Sequence, residues 1–284
     1  MELSIITVNL NDKEKILKQI ESVRLAAEGV RYEQIISDNG SQDDSLQEIK
    51  TRFPEIKIVE NGTNIGFGAA NNSAFKISSG EFVLCLNPDM LLVPGSLKIL
   101  LDWMRAHQEV GIVSPKLIDE KGNFNENAKP RRFPRLFDQV AILFKLPHLF
   151  PKILNGYLYK NFDFNKEQEV GSVRGSFMLL RRSFLDELGW VFDPRYFIWF
   201  EDIDICREAW RLGWKVVYTP ITSCVDYIGQ TFKKLSDLQK QEWFTNSMVK
   251  YFQKWEPWYK WIIIMTLRPV GIGMVWLGSK LIKK

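Results

Sequence analysis

The apolar run from Glu81 to Leu86 passes without a break into Asn87-Pro88-Asp89, and this junction limits what the chain can become. A short apolar run of this kind reads as a buried strand. Pro88 has no amide hydrogen for a sheet ladder and a fixed φ, so the strand turns there. A carboxylate at the end of a buried strand is costly unless it faces water, a cation or a ligand. In open α/β sheets the carboxyl ends of the strands are where ligands sit. Asp89 is therefore placed to hold a hard divalent ion against a diphosphate. Asn, Pro and Asp are also ordinary turn residues, so on these three alone a solvated turn is an equal reading.

The segments before this junction share its logic. Leu3 to Val8 is a β-rich run ending in Asn9, Asn11 and Asp12. A helical pattern follows, with Asp12 as N-cap, Ile16, Leu17, Ile20 and Val23 on one face and Gly29 as the stop. Gln34 to Ser37 is a second strand, closed by Asp38 and its polar neighbours. Asp44 to Phe53 reads as helix, Ile56 to Val59 as strand, Asn64 to Ala70 as a glycine-bearing loop and Asn71 to Ser78 as helix. This alternation implies a parallel sheet with helices on both faces. Strands one, two and four then end in Asn or Asp at one edge. No G-x-G-x-x-G follows the first strand and no P-loop occurs, so a bound nucleotide would rely on carboxylates and a metal. Asp38 can accept the imide N–H of a uracil or thymine ring, or close an Asx-turn. Gly66 and Gly68 permit close backbone approach to a ligand, or merely a tight loop.

Composition excludes several classes. A net charge of +4 over 284 residues, with no basic helix, zinc-finger spacing or RNA-binding signature, gives no reason to expect nucleic acid. Cys85, Cys206 and Cys224 are odd in number, widely spaced and set among apolar residues. They read as reduced, buried thiols of the cytosol. The start MELSIITVNLND lacks a basic n-region, so no signal peptide is expected. His107 and His148 lie outside every motif and read as surface residues.

SIITVNLND, IISDNGSQDDS, NIGFGAANNSA and FVLCLNPDMLLVPGSL occur in this order, followed by GSFMLLRRSFLDELGWVFDPRYFIWFEDIDICREAWRLGWKVVYTP. Together they resemble the family 2 glycosyltransferases, and within these the bacterial rhamnosyltransferase-like branch, where LNPD replaces the more general D-x-D. The resemblance runs roughly from Leu3 to Thr231. It implies a GT-A fold of class α/β, with a Rossmann-like nucleotide-sugar-binding half (1–96) and a mixed-sheet acceptor half (97–234). It implies an inverting transfer with Mn²⁺ or Mg²⁺, from dTDP-L-rhamnose or from a UDP-sugar (galactofuranose, glucose or N-acetylglucosamine). Carried over residue by residue, the donor side comprises Val8, Asn9, Asp38, Asn64, Gly66, Phe67, Asn71, Asn87, Asp89 and Gly175. The E-D motif makes Asp202 the base that takes the acceptor hydroxyl proton, with Glu201 orienting the acceptor beside Trp199 and Phe200. Asp204 reads as helix capping or support. One departure stands out: family members commonly carry a histidine where this chain has Asp226. Aspartate can replace it as a hard oxygen ligand, joining Asp89, or is a plain loop residue. A non-catalytic sugar-nucleotide-binding or glycan-binding subunit of a membrane synthase is the rival class, and the presence of both Asp89 and Asp202 argues against it.

Two regions are less specific. KPRRFPR, Lys129 to Arg135, opens an aromatic and basic stretch to Phe162. Arg131, Arg132 and Arg135 either meet the diphosphate of a lipid-linked or glycan acceptor or are ordinary surface arginines. Val173 to Leu180 reads as strand and Glu201 to Leu212 as helix. From about Leu235 a helical tail begins, with Leu238 to Trp255 as helix and then an apolar, Trp-rich end. Arg268-Pro269 is expected to split that end into halves too short to span a bilayer. Trp255, Trp258, Trp261 and Trp276, with Lys280, Lys283 and Lys284, fit a segment lying on the cytoplasmic membrane surface. Packing on the core, or against a second copy in a homodimer, is the competing reading.

Overall fold

The computed structural model describes residues 1–227 and 235–281. Strands β1 (Leu3–Asn9), β2 (Tyr32–Asp38), β3 (Lys57–Glu60) and β4 (Phe82–Leu86) alternate with helices α1 (Lys13–Ala26), α2 (Ser45–Arg52) and α3 (Phe67–Phe75). They lie parallel in the order β3-β2-β1-β4, as the alternation requires. Asn9 pairs in register with Asp38, so the polar strand ends do share one edge. β1 and β4 carry apolar side chains on both faces. Leu3, Ile5 and Leu84 pack beneath α1 and α4 (Ser96–Ala106), while Ile6, Val83 and Cys85 pack on the other side.

The sheet then changes character. β4 pairs antiparallel with β8 (Phe177–Arg181), which pairs antiparallel with β6 (Val110–Ile118). β6 runs parallel to the long β9 (Lys215–Asp226), which carries β5 (Met90–Leu92) and β7 (Gln168–Glu169) antiparallel. Pro115 interrupts β6 where its register on β9 shifts, the place a residue without an amide hydrogen can occupy. The remaining helices are α5 (Leu136–Leu143), α6 (Arg182–Leu188), α7 (Glu201–Arg211), α8 (Asp237–Trp255) and α9 (Trp258–Leu281).

Four expectations change. α3 begins at Phe67 rather than Asn71, because the Phe67 amide donates to the Phe197 carbonyl at 2.8 Å. A distant segment thus satisfies an N-terminal donor that the helix itself cannot. The division expected between residues 234 and 235 marks no break in packing, since Met248, Tyr251 and Phe252 of α8 form one core with Tyr196, Phe200 and Ile203. Finally, α9 is a single helix through Pro269. A mid-helix proline costs about 3 kcal/mol, but tertiary contacts hold both flanks. Ile264 is fully buried and the Arg268 guanidinium donates to Thr245 Oγ1 of α8 at 3.0 Å. Beyond the proline, a Cβ at Gly271 would stand 2.4 Å from Leu143 of α5, so only glycine fits there. Trp255 also differs from expectation: its indole donates to Asp204 instead of facing a membrane. Lys283 and Lys284 lie outside the described residues.

Candidate active site

The parallel strand ends form one wall of a cavity of about 360 Å³. Val8, Asn64, Gly66, Phe67, Asn87 and Asp89 of the expected donor side line it, as does Asn39, which sequence reasoning passed over. Asp38 lies behind this wall. Its Oδ1 accepts the Gly40 and Ser41 amides, and its Oδ2 accepts Asn9 Nδ2 and Ser41 Oγ, at 2.6–2.9 Å. A carboxylate has about four lone-pair sites, and all are in use here, so the Asx-turn reading describes the residue. Asn9, fully buried, braces this turn through Asp38, Ser41 and Ser45. Asn71 is likewise buried, bonded to the Phe67 carbonyl. Neither Asn9 nor Asn71 lines the cavity. Gly66, at φ +92°, would drive a Cβ to within 2.6 Å of the Phe197 carbonyl. Its freedom serves the joint between the two halves of the chain.

Asp89 and Asp226 enter the same cavity from adjoining strands, because Met90 pairs with Asp226 across β5 and β9. Both carboxylates are 6 % exposed. Burial, and then the negative charge of Asp226, push the Asp89 carboxyl up to about 6. Burial raises Asp226 as well, against the nearby Arg174 charge and the amide of Asn125. Two crowded, buried carboxylates of this kind suit a divalent cation, whose charge would offset their mutual repulsion. Among the described residues no group of three His, Cys, Asp or Glu side chains is arranged to hold a metal. Protein ligation by this pair would be completed by oxygens of a bound diphosphate.

A second cavity, of about 320 Å³, adjoins the first. Phe67, Asn87, Arg174, Ser176 and Ile198 line both. Glu201 and Asp202 stand at its base, in the first turn of α7. Trp199 and Phe200, immediately before them, hold left-handed backbone at φ +64° and +69°. Such conformations cost on the order of 1–3 kcal/mol each in a non-glycine residue and persist only where the surroundings enforce them. Here α8 does so. Phe244 and Tyr251 pack on the Phe200 ring at 5.4 Å, and Ser247 Oγ donates to the Ile198 carbonyl at 2.8 Å. Lys254 of α8 then meets Asp193, Asp204 and Glu208 at 2.7–2.9 Å. Asp204 is thus the support expected of it.

Asp202 accepts the Gly175 amide at 3.2 Å and the Ile203 amide at 2.8 Å. A Cβ on Gly175 would approach the Asp202 Cβ to 3.2 Å, so the close approach at Gly175 is to this carboxylate. Glu201 is buried, and its Oε2 has no hydrogen-bond partner among the described residues. Burial, with the charges of Asp202 and Asp204 beside it, pushes its carboxyl well above the usual carboxylate range. Of the basic loop, Arg131 reaches the cavity, tied by a backbone bridge to Ser172. Arg132 turns away to stack on Tyr159 at 4.8 Å, and exposed Arg135 lines neither cavity. The second cationic group is Arg174, which sequence reasoning left unassigned. Burial lowers its pKa, while the charges of Asp202, Asp226 and Asp89 act to raise it.

Residues 4–189 match the model for Glycosyl transferase family 2. The chain belongs to that family. It is 30 % identical over 198 residues to the N-acetylglucosaminyl-diphospho-decaprenol L-rhamnosyltransferase of Mycobacterium tuberculosis, a match covering 66 % of this chain and 63 % of that protein. It is 28 % identical over 233 residues to the rhamnosyltransferase WbbL of Escherichia coli, covering 78 % and 82 %. The chain therefore spans somewhat less than two thirds of the mycobacterial relative. In structure it resembles a mannosyltransferase of Pyrobaculum calidifontis solved with GDP-mannose and Mn²⁺, at TM-score 0.58 and 14 % identity, over 96 % of this chain and 72 % of that one. The fold is GT-A, as the motifs implied.

Within this member of the family the second cavity continues outward. Ile142, Trp199 and Phe244 form part of its wall and also part of a hollow of about 700 Å³ between α5, α8 and α9. Met274 and Val275 of α9 line that hollow, with Lys145, His148 and Lys240 among its polar residues. The outward face of α9 exposes Tyr259, Ile263, Val270 and Leu277. This helix is long and apolar enough to cross a membrane by length and composition.

Proposed function

We propose that the protein is an inverting glycosyltransferase that moves L-rhamnose from dTDP-L-rhamnose onto a lipid-linked bacterial glycan precursor at the cytoplasmic membrane face. The juxtaposition that carries the reading is two adjoining cavities that share Phe67, Asn87, Arg174 and Ser176, with Asp202 in the second. One is lined by the polar strand ends and the Asp89–Asp226 pair. The other is lined by aromatic and apolar side chains with Arg131. Nucleotide-sugar fits the first and the acceptor the second. Asp202 takes the proton of the acceptor hydroxyl as that oxygen bonds to the anomeric carbon from the face opposite the leaving group. The bond from that carbon to the diphosphate oxygen breaks, and the nucleoside diphosphate departs with the electron pair. A bound Mn²⁺ or Mg²⁺, held by Asp89 and Asp226, would offset the charge of the leaving diphosphate. Arg174, placed between the cavities, supplies fixed positive charge at the same point.

The lipid-linked acceptor is supported by the path out of the site. An acceptor sugar at Asp202 would have its diphosphate near Arg131, and its chain would follow Ile142, Trp199 and Phe244 into the hollow against α9. Docked along α8 and α5, that helix lies on the molecule with one apolar face outward. This arrangement suits a helix lying in the plane of the bilayer interface. Relatives named as rhamnosyltransferases favour the deoxysugar; a UDP-sugar is the second reading. Product formation from dTDP-rhamnose and a UDP-sugar panel, with and without chelator, separates them. The expected outcome is transfer from dTDP-rhamnose that chelation abolishes and that Asp89→Ala lowers by 100-fold or more, on the order of the loss of a transition-state charge contact. Full activity of Asp89→Ala in chelator would remove the metal assignment.

A further inference from the structure

The acceptor-side cavity holds a polar side chain that neither the fold nor the reaction above uses. Gln139 of α5 is 1 % exposed and lines this cavity. Both its amide oxygen and its amide nitrogen lack a hydrogen-bond partner among the described residues. Leaving one such buried group unpaired costs free energy, and leaving both costs more. The helix around it, LFDQVAIL, is otherwise largely apolar, so an aliphatic residue would fill the position with no such penalty. Two further unpaired buried atoms face the same space, Ser176 Oγ and Glu201 Oε2. Three orphaned polar groups around one cavity are the complement of a polar ligand.

We propose that Gln139 is a specificity residue for the acceptor, its amide forming a paired donor and acceptor contact with two adjacent polar groups on the acceptor's terminal sugar. The inference rests on the assignment of this cavity to the acceptor. A primary amide offers one acceptor oxygen and an N–H donor side by side, which matches vicinal hydroxyls or a hydroxyl next to an acylamino group. Glu201, whose Oε2 also lacks a partner among the described residues, and the Ser176 hydroxyl offer further polar contacts. Trp199, Phe200 and Tyr157 in the same wall offer apolar surface for the sugar ring. Sites built to hydrogen-bond a ligand group discriminate strongly against analogues lacking it, and that selectivity would belong to Gln139.

The test compares wild type with Gln139→Leu and with Gln139→Met, whose unbranched stem is close to glutamine in shape. The acceptor probes are N-acetylglucosaminyl diphosphate on a short isoprenoid chain and its glucosyl counterpart, which carries a hydroxyl in place of the acetamido group. Both variants should lower kcat/KM for the better acceptor by about 10- to 100-fold, as expected for one or two lost hydrogen bonds, and reduce the preference between the two probes. They should also melt at the same temperature as wild type or higher, because the orphaned amide is gone. Nucleoside-diphosphate binding, followed in parallel, should stay within twofold. An unchanged acceptor preference overturns the inference, and so does a lower melting temperature in both variants, which would assign the amide to folding. Absence of product from wild type with every donor and acceptor overturns the functional reading, and this inference with it.

Discussion

Glu201 and Asp202 are neighbours in sequence with opposite surroundings, and the difference defines their roles. Asp202 accepts two backbone amides, which fix its carboxylate at the start of α7. Glu201 is buried with an unpaired oxygen and its carboxyl is pushed up, the environment of a neutral acid. Its folded pKa lies above its unfolded one. The stability it contributes is therefore complete below the unfolded value, near ~4.3, and is lost as pH rises through the folded value. Glu201→Gln mimics the neutral acid. It should retain transfer to within about tenfold, in line with one altered hydrogen bond, and should flatten the fall in melting temperature toward alkaline pH. Thermal melts from pH 5 to 9 check this; a variant whose melting temperature falls with pH as in wild type would place the titrating group elsewhere. The E-D motif itself was legible in the sequence because it opens an amphipathic helix and matches a family pattern. Gln139 was not, since its only signal is a polar residue inside an apolar helical run, and which face is buried depends on partners distant in the chain. Arg174 carried no signal of its own, because only the fold brings it near Asp202, Asp89 and Asp226. Asp38 stands at the strand end expected of it, where four donors from Asn9 and its own turn surround the carboxylate.

At the scale of elements, the order of the parallel half was readable because each strand is a short apolar run with polar punctuation, while the start of α3 was not. Nor was the tail. Local rules place a break at Pro269, and contacts from α8 and α5 override it. α9 consequently has two jobs on two faces: Ile264 and Gly271 face the protein, while Val270 and Leu277 face out. Deleting all of α9 would strip the fully buried Ile264 from the core. Emptying such a site costs roughly 2–5 kcal/mol, so truncation confounds docking with stability. Val270→Glu with Leu277→Glu alters exposed positions alone, 53 % and 56 % accessible. The double variant should keep its helical circular dichroism and melting temperature and lose most co-sedimentation with vesicles containing acidic lipid. Sedimentation equal to wild type would show that this face does not meet the membrane.

Across the whole molecule, the proposed function assigns two tasks to one sheet. Its parallel part would offer polar strand ends to the nucleotide. Its mixed part, with α7 braced by α8, would offer a carboxylate to the acceptor, and the joint between them is where Gly66 and Phe67 meet Phe197. The strained aromatics before α7 and the Lys254 cluster behind it keep Asp202 fixed at that joint. The central claim is that Asp202 removes the acceptor proton while the donor site stands apart from it. The direct measurement is the transfer rate of Asp202→Asn beside its nucleoside-diphosphate affinity by titration calorimetry. A rate lower by about 10²–10⁴-fold, the usual contribution of a general base, with affinity within twofold of wild type, is the predicted result; a wild-type rate would contradict it.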